Sequence, residues 1–176
     1  MRIDKVEALA ISIPLKKNFG GSTYDVKKRC TVVTRIHADG LVSEVYNGDN
    51  RTHGAEIVQM IKKLLAPLAI GEDVFAIERL WEKMFALTTA QGDRKNLLEA
   101  ISCIDCAVWD LTGKALGKSV RQLLGGYRTQ LPIISIGGYY VDGKTLADYG
   151  REIESYRKAG MAGCKFKVGG LTPEAD

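Results

Sequence analysis

Cys164-Lys165-Phe166-Lys167-Val168-Gly169 alternates apolar and basic side chains late in the 176-residue sequence. In an extended strand successive side chains point to opposite faces, so Lys165 and Lys167 share one face while Cys164, Phe166 and Val168 share the other. The apolar face must bury against something, which sets the two lysines side by side on the opposite wall. On an outward face water would absorb their repulsion; on the inner wall of a barrel they would meet a substrate. Burial and a like-charged neighbour both disfavour a protonated lysine, the direction a general base requires.

Upstream, Pro132-Ile133-Ile134-Ser135-Ile136 reads as a short buried strand, and Leu146, Tyr149, Ile153 and Tyr156 form a helical stripe ended by Gly160. Strand, helix and strand make a βαβ unit, whose strands are parallel because a crossover helix returns the chain to the same end of the sheet. Thr172-Pro173-Glu174 resembles an N-cap, a first-turn proline and an early acidic residue, so a further helix is expected to open there. Glu174 and Asp176 read as helix-start acids rather than metal ligands. Two parallel strands with bare edges cannot close a core, so the chain is expected to be truncated, the first part of a longer (β/α) protein.

The preceding residues have a different rhythm. Ile3 to Ile13 carries Leu9, Ile11 and Ile13 in alternation and is expected to stop at Pro14. Lys16 to Lys28 has no apolar periodicity and reads as a loop that includes Phe19 and Tyr24, either a lid or a loop folded onto its own domain. Cys30 to His37 and Leu41 to Tyr46 then form a hairpin about Asp39-Gly40. Three antiparallel strands result, with His37 an ordinary strand-end residue.

After Asn47 to His53 the period changes to 3.6. Ile57, Ile61, Leu64 and Leu68 form one stripe, Val74, Ile77, Trp81 and Met84 a second, and Leu97, Ile101, Ile104, Val108 and Leu111 a third. Asp73 is placed to cap the second helix, and Gly113 or Gly117 to close the third. Strands followed by helices indicate an α+β domain over residues 1–128, with the βαβ unit over residues 129–176.

With 45% hydrophobic and 26% charged residues, the chain has apolar material for one core and part of a second. No apolar run approaches the roughly 18 residues of a membrane span, and Met1-Arg2-Ile3-Asp4-Lys5 lacks the apolar centre of a secretory signal. A cytoplasmic protein without membrane contact is expected. The net charge of +4 is spread along the chain, which argues against nucleic acid as a partner. Cys103-Ile104-Asp105-Cys106 lies in a helical pattern with no second such pair and no nearby histidine, so all four cysteines read as small buried hydrophobes.

The run Ala100-Ile101-Ser102-Cys103-Ile104-Asp105-Cys106-Ala107-Val108-Trp109-Asp110-Leu111-Thr112-Gly113-Lys114-Ala115-Leu116-Gly117, with Gln122-Leu123-Leu124-Gly125-Gly126 after it, resembles the enolase superfamily. Within it, the closer likeness is to the mandelate racemase and muconate lactonizing enzyme family. The resemblance implies a capping domain followed by the beginning of a modified TIM barrel whose second strand carries Lys165-Phe166-Lys167. It implies magnesium, with acidic ligands supplied from outside this segment, so no metal ligand is named here. It implies a small-molecule carboxylate substrate, an enediolate intermediate, Lys167 as the base, and Lys165 as a cation that stays protonated. Concentrated positive charge suits such an intermediate, which carries two negative charges on oxygen.

Carried over from the family, two capping loops would close on the substrate: Phe19 to Tyr24, and Tyr46 to His53 with Tyr46, Asn47 and His53 as contacts. Gly138, Tyr139 and Tyr140 follow the first barrel strand and would face the catalytic end, either tyrosine pointing inward and the glycines leaving room for substrate. Ser43-Glu44-Val45-Tyr46 departs from the family's G-x-G-E-like segment. The implied activity is a sugar-acid dehydratase or racemase, with cycloisomerisation and a succinylbenzoate-synthase-like elimination as enzymatic alternatives. Homo-oligomerisation is also implied. From another class, the chain is read as a stand-alone capping or binding module.

Overall fold

The computed structural model describes residues 1–47, 52–90 and 92–175. The chain divides into two compact units, one of Met1–Ile13 with Arg29–Tyr127, the other of Pro14–Lys28 with Arg128–Asp176.

In the first unit β1 (Lys5–Gly20), β2 (Asp25–Ala38) and β3 (Leu41–Asn47) form a sheet in the order β1-β2-β3, the two longer strands continuing into the second unit. Strands β2 and β3 pair antiparallel from Ala38 opposite Leu41 to Val32 opposite Asn47. Their two-residue turn has Asp39 at φ 46° and Gly40 at φ 79°, the left-handed pair that matches the twist of a hairpin. Leu9 and Ile13 lie 61% and 60% exposed on β1, whereas Ala8 is buried. A small side chain on that strand lets the helix start come close: a Cβ on Gly54 would lie 3.4 Å from that of Ala10.

Helix α1 (Gly54–Met60), a π-helical turn (Ile61–Leu65) and α2 (Ala66–Ala69) run on as one element. Ile57, Ile61, Leu65 and Ala69 are its buried residues along with Val58 and Ala66, whereas Leu64 and Leu68 are half-buried. The expected stripe assumed a regular α-helix; the wider π turn keeps every fourth residue on one face. Helix α3 (Ile77–Phe85) buries Leu80 and Met84, and α4 (Arg94–Leu116) buries all five residues of its expected stripe against β3, α1 and α3. Asp93 caps α4 by accepting from the Asn96 N–H at 3.2 Å, and Gly117 closes it at φ 61°. Gly113 instead lies inside α4, where a Cβ would press on the Lys118 carbonyl. Asp73 does not cap α3, which starts after Ala76; its carboxylate accepts from the Phe75 N–H in the preceding turn. A short helix α5 (Val120–Leu123) follows with a Ser119–Gln122 capping box.

In the second unit, residues 16–28 are not the expected loop. Strand β1 runs through Pro14 to Gly20 and β2 begins at Asp25, leaving residues 21–24 as a turn in which the Gly21 N–H donates to the Tyr24 carbonyl at 2.9 Å. Pro14 is tolerated because β1 lies at the sheet edge, where a missing N–H breaks no ladder. Beyond it, β4 (Ile134–Ile136) and β5 (Gly163–Lys165) pair parallel, Ile136 opposite Lys165, and α6 (Leu146–Lys158) joins them. A Thr145–Asp148 capping box starts α6, and Gly160 follows its end at φ 74°. Residues 173–175 form a turn, not the expected helix start, and Asp176 lies outside the described residues.

Candidate active site

The parallel pairing of β4 and β5 brings their C-terminal ends together, and the residues that follow each strand meet there. Phe166 goes to one side of the sheet: its ring lies 6.2 Å from that of Tyr149 on α6. Lys167 goes to the other, its Nζ 5.2 Å from the centroid of the Tyr139 ring. Tyr139 also receives Phe19 from the tip of the β1–β2 hairpin, edge-on at 4.7 Å. Gly20 and Tyr140 exchange backbone hydrogen bonds of 2.8 and 3.0 Å, which ties the tip to the same turn. Phe19, Tyr139 and Lys167 therefore form one cluster.

Tyr140 points elsewhere, its hydroxyl accepting from the Gly170 N–H at 3.0 Å. Gly138 does not leave open room: at φ 64°, a Cβ there would overlap the Phe166 ring, so that ring occupies the space. Tyr24 is exposed beside Gly21. Lys167 is half-buried and Lys165 exposed, so the burial expected for the pair is not met within this chain.

Three candidates belong to the first unit. Tyr46 donates its hydroxyl to Glu44 Oε1 at 2.5 Å, and Arg35 holds the other oxygen. Those bonds, Tyr46 first and then Arg35, keep the Glu44 carboxyl below the ordinary range, and the same bond to Glu44 pushes the Tyr46 hydroxyl up. Together with Val6, Leu9, Ile11 and Val33 these side chains line an open groove of about 410 Å³. Asn47 is an anchor, its amide donating to the Ser102 carbonyl of α4 at 3.5 Å. His53 sits exposed at the N-cap position of α1 without capping it through its side chain. Most of the remaining expected second loop, residues 48–51, lies outside the described residues.

Sequence reasoning missed a charged clamp beside the cluster. Glu152 accepts from Lys144 and from the Tyr156 hydroxyl, both at 2.5 Å, and from the Gly138 N–H at 3.2 Å. Burial pushes its carboxyl up, but these three donors outweigh burial and hold it below the usual range. The available signal was Tyr149, Glu152 and Tyr156, an acid between two tyrosines on one helical face. Among the cysteines, burial pushes the Cys103 thiol up to about 11, which makes it inert, whereas Cys106 and Cys164 are exposed rather than buried. Among the described residues, no group of three or more His, Cys, Asp or Glu side chains could hold a metal ion. No helix among them is long and apolar enough to cross a membrane.

Residues 6–125 match the family described as the mandelate racemase / muconate lactonizing enzyme, N-terminal domain. The chain belongs to this family of the enolase superfamily, through the α+β capping domain that opens it. It is 37% identical over 148 residues to an arabinonate dehydratase of Saccharolobus solfataricus, covering 82% of this chain and 39% of that protein. It is 34% identical over 172 residues to a D-galactarolactone cycloisomerase of Agrobacterium fabrum, covering 96% of this chain and 44% of the relative. A crystal structure of a family member from a marine actinobacterium, in complex with magnesium, superposes with a TM-score of 0.83 at 40% identity. That match covers 99% of this chain and 46% of the other. The chain thus spans less than half the length of these relatives.

Proposed function

We propose that this chain is the capping domain and first βαβ unit of a magnesium-dependent enzyme that removes the α-proton of a carboxylate substrate, with a sugar-acid dehydratase or racemase as the favoured outcome. In this reading residues 1–128 form the cap and residues 129–176 begin a (β/α) barrel. The observation that carries it is the placement of Lys167 on the Tyr139 ring, opposite Phe166, where the C-terminal ends of two parallel strands meet. In (β/α) barrels that end is where active sites are built.

Lys167 takes the proton next to the carboxylate, and the resulting enediolate carries charge on both oxygens. Lys165, on the same face, contributes a positive charge to the carboxylate. Phe19, delivered by the hairpin tip, covers Tyr139 and limits water at the base. Tyr24, Tyr46, Asn47, His53, Gly138 and Tyr140 are the remaining substrate-side candidates, of which Gly138 and Tyr140 act through backbone and loop position. Bound magnesium would add concentrated positive charge; the described residues do not hold it, and its ligands are assigned to polypeptide outside this segment. A second reading, cycloisomerisation, is favoured by the likeness to the galactarolactone cycloisomerase over 96% of this chain.

Incubating the full-length protein with magnesium and candidate sugar acids in deuterated water tests the proposal. The α-proton should wash out, and Lys167→Ala should slow that exchange by about 10²–10⁴-fold. Exchange at an undiminished rate in the variant would remove Lys167 from the base role. Dehydrated, epimerised or ring-opened products then separate the outcomes.

A further inference from the structure

The backbone of Gly138 and Tyr139 is gripped at both ends, by side chains of α6 and by Lys144 just before it. Glu152 holds the Gly138 N–H at 3.2 Å, while Lys144 Nζ and the Tyr149 hydroxyl both donate to the Tyr139 carbonyl at 3.3 Å. Lys144 is itself fixed, paired with Glu152 and lying 3.9 Å from the Tyr149 ring centroid. Its side chain is 15% exposed and that of Glu152 is 22% exposed. Desolvating such a pair is costly, and a surface helix could have been anchored with apolar contacts alone. The proton-transfer chemistry uses neither residue. What both touch is the backbone that carries Tyr139, whose ring lies under the Lys167 ammonium and against Phe19.

We propose that Glu152 and Lys144 are positioning residues: acting through the backbone of Gly138 and Tyr139, they fix the aromatic seat on which the Lys167 ammonium rests. This rests on the reading of Lys167 as the base. A cation over an aromatic face is attracted by the ring quadrupole, so the seat narrows the positions open to a long, flexible side chain. Neighbouring glycines allow the grip to be tight, since a Cβ on Gly137 would overlap both the Glu152 carboxylate and the Tyr156 hydroxyl.

The test uses full-length protein labelled with [ε-¹³C]lysine, the Lys167 signal being assigned by its loss in Lys167→Arg. The Tyr139 ring should shift the Lys167 ε-methylene protons upfield. Tyr139→Leu should abolish that shift and lower kcat for α-proton exchange by about two- to fivefold with KM little changed. Lys144→Met and Glu152→Gln should each reduce the shift and lower kcat in the same way, and Lys144→Arg should recover part of both. Should Glu152→Gln fail to fold, Lys144→Met and Tyr139→Leu carry the test. A clamp that merely anchors α6 would lower the melting temperature while leaving the Lys167 signal and kcat unchanged, and that result overturns the proposal. If Lys167→Arg leaves proton exchange intact, the base reading fails separately, and the methylene shift still reports whether the clamp sets the seat.

Discussion

The first unit contains every buried apolar side chain of the described residues except Val26, whereas the second leaves Ile134 and Ile136 of its own strand 56% and 52% exposed. Leu97 and Ile104 on α4, by contrast, have no accessible surface. In the first unit order comes from apolar burial, with helices packed on a sheet. In the second it comes from polar side chains that hold backbone: Glu152 on Gly138, Lys144 and Tyr149 on Tyr139, Tyr140 on Gly170. Stability and candidate chemistry are thus built from different interactions in one chain, so substitutions should affect them separately.

The largest effect should come from cutting the helical core. Leu97→Ala removes a fully buried side chain and should cost about 2–5 kcal/mol by urea unfolding. A loss no larger than that of an exposed substitution would erase the contrast between the units.

Acidification should act on the second unit through Glu152. Its native carboxyl is depressed, so its contribution is fully present above the ordinary glutamate range and is lost as pH falls through the native value. The stability difference between wild type and Glu152→Gln should hold near neutral pH and shrink below about pH 4.3. A difference that grew on acidification would mean that the carboxylate is a burden rather than a clamp.

The smallest effect should be at Leu146, 85% exposed on α6, where Leu146→Ala should stay within about 0.5 kcal/mol by thermal melting. A larger loss would show that this side chain is covered in the full-length protein, which sharpens the comparison by marking where further polypeptide packs.

Much of this contrast is written in local periodicity. The stripe of α4, the Asp39-Gly40 hairpin and the strand–helix–strand order follow from spacings of two and 3.6, which backbone geometry imposes on any sequence, whereas α3 buries Leu80 and leaves the expected Ile77 and Trp81 half-buried. The stripe of α1 drifted because a π turn leaves no compositional mark on Ile61–Leu65. The hairpin arm from Lys16 to Lys28 escaped because an exposed arm needs no apolar alternation, and Pro14 at a sheet edge does not end a strand. In the site, Lys165-Phe166-Lys167 was legible as a candidate from alternation alone. The choice of Tyr139 over Tyr140 was not, since it depends on Gly138 at positive φ and on Lys144 and Glu152, five residues beyond Tyr139 and fourteen beyond Gly138.

The most direct test is a structure of the full-length protein with magnesium and an unreactive carboxylate analogue. The account predicts Lys167 Nζ about 3–3.5 Å from the carbon next to the carboxylate, with the Tyr139 ring still beneath that nitrogen. An analogue bound elsewhere, with Lys167 turned into bulk solvent, would contradict it.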